Sequence, residues 1–198
     1  MGSFREIDLF SDADTVRTTH LLLHRMVPPT RLTYKCVDTL FGGLLLAQTV
    51  DGLSWSAFFD DKDHALHVMQ SAFAGTTFSE GTGMWMQAAQ RIIRDPLSAR
   101  DSLCLNVTGS QFRLAVLRQL LDTPFGALTT YGSIATRLGD PKSSRAVGGA
   151  VGANPIAFFI PCHRVVNADG TAGHFRWGAA RKKAMIAFEA ENAGQELL

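Results

Sequence analysis

Cysteine is scarce in this 198-residue chain: Cys36, Cys104 and Cys162 stand at wide, irregular intervals. Such spacing excludes a disulfide framework and a zinc site of the CxxC kind, and it fits a reducing compartment. Net charge is also nearly absent, at +1. No apolar run approaches the roughly 18–20 residues that a membrane-spanning helix needs. The first residues carry Glu6, Asp8, Asp12 and Asp14, which is too acidic for a signal or transit peptide, so a cytoplasmic protein with no membrane contact is expected. Internal repeats, low-complexity segments and glycine-rich phosphate loops are missing too. What remains, with 46% hydrophobic and 19% charged residues, is an ordinary globular composition.

The near-neutral total conceals an asymmetry. Residues 1–106 hold 9 Lys and Arg against 12 Asp and Glu, whereas residues 107–192 hold 10 against 5. A basic second half meets the electrostatic requirement for a polyanion, since Lys and Arg neutralise phosphates and release counterions. The excess is modest, and a run such as Arg181-Lys182-Lys183 reads by itself as a solvated helix face.

Along the chain, the apolar cluster Leu21-Leu22-Leu23 suggests a short helix ended by Pro28-Pro29. An extended pattern follows at Leu32–Val37, Leu44–Val50 and Leu53–Phe59, with turns at Phe41-Gly42-Gly43 and Asp51-Gly52, which together predict an antiparallel meander. Helical periodicity appears over His64–Ala74 and Met84–Arg94. Cys36 and Cys104 fall in strand-like stretches without a neighbouring histidine and read as packing residues. Beyond Asn106 the character turns helical: Gln111–Leu121, Ser133–Leu138 and Ser143–Gly152. The last two form a candidate helix-turn-helix.

The most informative feature is Pro161-Cys162-His163-Arg164-Val165. Ile156–Ile160 reads as a short buried strand ending at Pro161, which would present Cys162 at a strand end. A thiol beside an imidazole and a guanidinium is expected to have a lowered pKa and to react as a thiolate. Many cysteine enzymes would satisfy that description.

Taken in order, Tyr131, Arg145-Ala146-Val147-Gly148-Gly149-Ala150, Asn154-Pro155, Ile160 through Val165, Gly173, Arg176-Trp177-Gly178 and Glu189 resemble the O6-alkylguanine-DNA alkyltransferases, also called methylated-DNA–protein-cysteine methyltransferases. The likeness is dense over about 80 residues (roughly 110–190). It implies an α+β fold. A small ribonuclease-H-like domain with an antiparallel sheet is expected at 28–106. A mainly helical, winged-helix-like domain that binds DNA and transfers the alkyl group is expected at 107–192. Residues 1–27 are then an extension and 193–198 a tail. No cysteine-rich zinc domain of the Ada type is seen ahead of these.

The resemblance implies direct reversal of DNA damage: Cys162 takes the alkyl group from O6-alkylguanine, chiefly methyl, with O4-methylthymine as a second substrate, and is consumed in one turnover. It also implies that His163 deprotonates the thiol through a water while Glu189 orients the imidazole. Arg145 enters the duplex as the damaged base leaves, and Tyr131 promotes flipping, with Ala146 and Gly148 on the same recognition helix in the minor groove. Asn154, Pro161, Arg164, Val165, Phe175 and Arg176 support the site. Phe175 departs from the tyrosine most relatives carry, which removes a hydroxyl from the alkyl pocket. Double-stranded DNA is the expected partner of a monomer that needs no cofactor. Cys36 with His20, His24, His64 and His67 lacks a matching zinc pattern, so no metal is expected. A non-transferring alkylated-DNA-binding protein and a winged-helix regulator are the alternatives.

Overall fold

The computed structural model describes residues 29–97 and 102–193, together with the backbone of Thr19–His24. Residues 1–18 of the expected extension and nearly all of the expected tail lie outside the described residues. The chain divides into two compact units, with the division falling between Gly109 and Ser110.

The first unit is built on a six-stranded sheet in the order β1-β6-β4-β3-β2-β5. Its strands are β1 (Thr19–His24), β2 (Arg31–Thr39), β3 (Gly42–Gln48), β4 (Leu53–Phe59), β5 (Thr77–Glu80) and β6 (Leu103–Thr108). The meander β2-β3-β4 is antiparallel, as its two tight turns dictate. The sheet as a whole is mixed, which corrects the antiparallel expectation: β1 and β4 pair parallel with β6, and β5 pairs parallel with β2. The cause is connectivity, because α1 (Lys62–Ala72) and α2 (Met84–Arg94) separate the later strands and allow crossovers that a hairpin cannot make. Leu21–Leu23 lie in a strand and not in the expected helix. Three consecutive leucines carry no period, and pairing with β6 decides their conformation.

Leu44–Gln48 of β3 and Leu53–Phe58 of β4 are buried without alternation, so both faces of these central strands are covered. Helix α1 packs on β3 and β4, and α2 packs on β2, β3 and β6. Asp61 caps α1 by accepting from His64 N at 3.0 Å. For α2 the cap comes from the sheet: Gln48 Oε1 accepts from Met86 N at 2.8 Å.

The second unit is mainly helical: α3 (Gln111–Leu121), α4 (Tyr131–Arg137), α5 (Ser144–Gly152) and α6 (Ala179–Asn192). Strands β7 (Thr129–Thr130) and β8 (Val165–Val166) form a two-residue parallel ladder. Ser110 and Thr130 cap α3 and α4 through their hydroxyls. Ile156–Ile160 does not form the expected strand. It is a tight turn closed by Ile160 N to Ile156 O at 3.0 Å, with Phe158 at φ 72°, a left-handed value unusual for an aromatic residue.

Candidate active site

Cys162 opens a one-turn 3-10 helix, Cys162–Arg164, directly after that strained turn. Its side chain is buried, and Asn154 Nδ2 donates to Sγ at 3.2 Å. Asn154 is itself fully buried. The same Nδ2 reaches Ile160 O at 2.9 Å and Ile156 O at 3.4 Å, while Oδ1 accepts from Ile156 N at 3.0 Å. One amide thus ties the end of α5 to the turn that presents the thiol.

The neighbours in sequence do not make Cys162 a resting thiolate. Burial pushes the thiol up to about 11, and the Asn154 hydrogen bond and the positive charge of Lys182 only partly oppose it. Arg164 points elsewhere. Its Nε donates to Glu189 Oε2 and its Nη2 to Glu189 Oε1, both at 2.9 Å, and its Nη1 donates to Thr123 O. The expectation from adjacency fails because successive side chains of a 3-10 turn point in different directions.

His163 and Glu189 come together. His163 is buried, and Nε2 lies 2.7 Å from Glu189 Oε1. Gly126 N also donates to Glu189 Oε2, at 3.2 Å. Burial alone would raise the Glu189 carboxyl, but the hydrogen bonds and charges of His163 and Arg164 outweigh it and hold the group at about 2. An ionised Glu189 can only accept, so Nε2 carries the imidazole proton and Nδ1 keeps its lone pair. That Nδ1 is buried and has no protein partner. Burial, the largest influence, lowers the His163 pKa and favours the neutral ring, a base rather than a cation.

Tyr131 begins α4, with its ring 3.8 Å from where a Cβ on Gly148 of α5 would stand. Its hydroxyl lies 3.4 Å from the corresponding point on Gly173, whose φ of 66° suits glycine. Burial first, and then the neighbouring Cys162, raise the phenol pKa and keep it a donor. Phe175 is buried and meets Trp177 edge-on, with centroids 5.2 Å apart. Pro161 and Val165 are buried on either side of the Cys162-His163-Arg164 turn. Arg145 and Ala146 are exposed near the start of α5, and Arg176 is exposed beside Trp177. Asn154 therefore holds the thiol, Tyr131 packs against Gly148 and Gly173, His163, Arg164 and Glu189 form a polar cluster at the turn that carries Cys162, and Arg145, Ala146 and Arg176 stand at the surface.

Lys182 is the residue that sequence reasoning missed. Read as part of a solvated basic run, it is 0% exposed, and Nζ donates to Val165 O at 2.6 Å. The available signal was spacing: Lys182, Met185 and Glu189 are the buried residues of α6, three and four apart on one face. Once Glu189 is assigned inward, Lys182 must follow. Among the described residues no group of three or more His, Cys, Asp or Glu could hold a metal ion. No described helix is long and apolar enough to cross a membrane.

This geometry sets a buried thiol next in sequence to an imidazole whose tautomer Glu189 fixes. Residues 111–191 match the model of the 6-O-methylguanine DNA methyltransferase DNA-binding domain. The bifunctional transcriptional activator/DNA repair enzyme Ada of Escherichia coli is 34% identical over 162 residues, covering 80% of this chain and 46% of that protein. The methylated-DNA–protein-cysteine methyltransferase of Mycobacterium tuberculosis is 41% identical over 93 residues, 47% of this chain and 56% of that protein. The crystal structure of Mycobacterium tuberculosis OGT in complex with DNA superposes with a TM-score of 0.68 at 28% identity, covering 80% of this chain and 93% of that one. Residues 111–191 thus match the DNA-binding domain of the 6-O-methylguanine DNA methyltransferases, and four-fifths of the chain is similar in fold to a structure of that family. The chain spans about half the length of the curated relatives it matches.

Proposed function

We propose that this protein repairs DNA by direct reversal, moving the alkyl group of O6-alkylguanine irreversibly onto Cys162. The observation that carries the reading is the buried Cys162 thiol, held by Asn154 and followed directly by a His163 whose basic nitrogen is fixed by Glu189. Cys162 loses its proton through a water to His163 Nδ1 and attacks the alkyl carbon. The S–C bond forms as the C–O6 bond breaks, and the electron pair passes to the guanine. Tyr131 donates its proton toward guanine N3 as charge develops there, and the proton held on His163 returns through solvent to the phenolate, so the base gains one proton for the one that the thiol has lost. The product is a thioether, and nothing in the step restores the thiol.

DNA delivery rests on exposed groups. Arg145, with Ala146 and Gly148 on α5, enters the minor groove and fills the space of the flipped base, a mode that suits repair because the minor groove carries little sequence information. Arg176 and Trp177 flank the alkyl pocket, and Phe175 lines it without a hydroxyl. We read the first unit (expected at 28–106) as ribonuclease-H-like and the second (107–192) as winged-helix-like with a helix-turn-helix formed by α4 and α5. The protein acts as a cytoplasmic monomer with chiefly O6-methylguanine, and secondarily O4-methylthymine, as substrate.

A duplex labelled in the O6-methyl group tests this reading. Label should pass to the protein, stop at one equivalent, and be lost in Cys162→Ala, which retains DNA binding. A protein that binds the lesion and leaves the label on DNA would instead be a lesion recogniser. One with no preference for the lesion would be a regulator.

A further inference from the structure

Strand pairing in the second unit sets two residues side by side. Thr130 of β7 pairs with Val166 of β8, so the residues that follow, Tyr131 and Asn167, leave the ladder as neighbours. Both are half-buried. Asn167 Oδ1 stands 3.1 Å, and the Tyr131 hydroxyl 3.4 Å, from the point that a Cβ on Gly173 would occupy. A side chain on residue 173 would fill that space, and glycine leaves it open. Among the described residues neither polar atom has a hydrogen-bond partner. The charge at Cys162 adds to burial in raising the Tyr131 pKa, which puts the phenol within electrostatic reach of the thiol.

The orientation of the Asn167 amide follows from its other neighbours. Asp169 Oδ1 accepts from the Thr171 N–H at 2.9 Å and from the Thr171 hydroxyl at 2.6 Å, and these bonds hold the Asp169 carboxyl below its usual range. The hydroxyl has then committed its one proton. Toward the Asn167 amide, 2.8 Å away, it can only accept, so the atom facing it must be Nδ2. Two backbone bonds close the loop, Asn167 N to Thr171 O at 2.9 Å and Gly170 N to Asn167 O at 3.0 Å. The amide oxygen is therefore held toward Gly173.

At Gly173 the chain thus offers a donor, the phenol, beside an acceptor, the amide oxygen. Guanine carries the complement on its minor-groove edge, where ring N3 accepts and the adjacent 2-amino group donates. Adenine and thymine carry only acceptors on that edge.

We propose that Asn167 is a specificity-determining residue, its Oδ1 accepting from the 2-amino group of the flipped guanine while Tyr131 donates to N3. This rests on the reading of the site as an O6-alkylguanine pocket and adds to it a contact that selects the base. It favours the guanine lesion over O4-methylthymine, which has nothing to donate at that position.

The test edits the substrate and the residue together. Single-turnover methyl transfer is measured from duplexes carrying O6-methylguanine or O6-methylhypoxanthine, the same base without its 2-amino group, for wild type, Asn167→Ala and Thr171→Val. Removing the amino group also changes pairing in the duplex, so the comparison between proteins decides. Asn167→Ala should slow transfer from the guanine duplex about 5–10-fold, the size of one hydrogen bond at a half-exposed site. Transfer from the hypoxanthine duplex should not change. Equal slowing of both, or no slowing of either, would overturn the proposal. Should Asn167→Ala not fold, Thr171→Val decides: it frees the amide to turn, so the guanine-to-hypoxanthine rate ratio should fall below that of wild type, and an unchanged ratio would overturn the proposal. If wild type takes methyl from neither duplex, the functional reading fails. The Asn167 contact is then read from dissociation constants of the same two duplexes, with the same outcomes for and against it.

Discussion

Arg164 closes on both carboxylate oxygens of Glu189, Nε to Oε2 and Nη2 to Oε1, each at 2.9 Å. The arginine two residues after Cys162 therefore serves Glu189, the partner of His163, and not the thiol. A two-point grip fixes the plane of the carboxylate, and with it the plane of the imidazole bonded to Oε1.

Arg164→Met should uncouple that arrangement. Removing one partner of a buried ion pair costs roughly 3–5 kcal/mol, and a Glu189 free to rotate no longer holds the Nε2–H tautomer of His163. Single-turnover transfer in the folded fraction is expected to slow about 100-fold, the low end of what a positioned base contributes. Arg164→Lys should recover only part of it, since an ammonium cannot form the fork. Rapid-quench kinetics on an O6-methylguanine duplex measure both.

Acid stability should report Glu189. Its folded pKa of about 2 lies below the ordinary 4.5, so the unfolded chain binds the proton more tightly. The stabilisation is fully present above 4.5 and is lost as the pH falls toward 2, amounting to about 3 kcal/mol across that window. His163, whose pKa burial lowers from 6.5, adds a loss that begins at higher pH. Glu189→Gln should be less stable at neutral pH and show a shallower decline below pH 4.5, read from urea unfolding at successive pH values.

Asn154→Ala should be costly for a single amide. It leaves the donor Ile156 N without this partner, at about 1–3 kcal/mol for an unmet buried group, while Ile160 O loses one of two donors and keeps Cys162 N. The thiol also loses its donor, so the Cys162 pKa should rise further. Thermal unfolding and the pH dependence of Cys162 reactivity should therefore move together in this variant.

Gly126→Ala tests the far side of the same cluster. Gly126 has φ 75°, and an added Cβ would stand 2.5 Å from Ala193 Cβ, so either the backbone or α6 must shift. Because Gly126 N also donates to Glu189, the expected result is a loss of about 1–3 kcal/mol together with slower transfer. Unchanged transfer in a destabilised variant would separate this loop from the site.

The chemistry of the site was more legible in sequence than its electrostatics. Cys162, His163, Asn154 and Glu189 stand in an order that the family motif carries, and hydrogen bonds join Asn154 to Cys162 and His163 to Glu189. Helices α2 and α3 begin and end at the residues that their periodicity indicates. Burial reverses what adjacency suggests. A cysteine next to His and Arg looks activated, yet desolvation dominates its pKa, and the charge that opposes it comes from Lys182, twenty positions along the chain. Ile156–Ile160 is apolar because it is buried, and five apolar residues cannot distinguish a strand from a turn held by a side-chain amide. The parallel pairing of β1 with β6 links residues more than eighty apart, beyond the reach of any local pattern.

The central claim is that Cys162 is consumed by the alkyl group it removes. Incubating the protein with a duplex containing one O6-methylguanine and weighing it intact tests this most directly. The account predicts a gain of one methyl group per molecule, located at Cys162 by peptide mapping, with no second equivalent under excess duplex. An unchanged mass under conditions where the duplex is bound, or repair of more than one lesion per protein molecule, would contradict it.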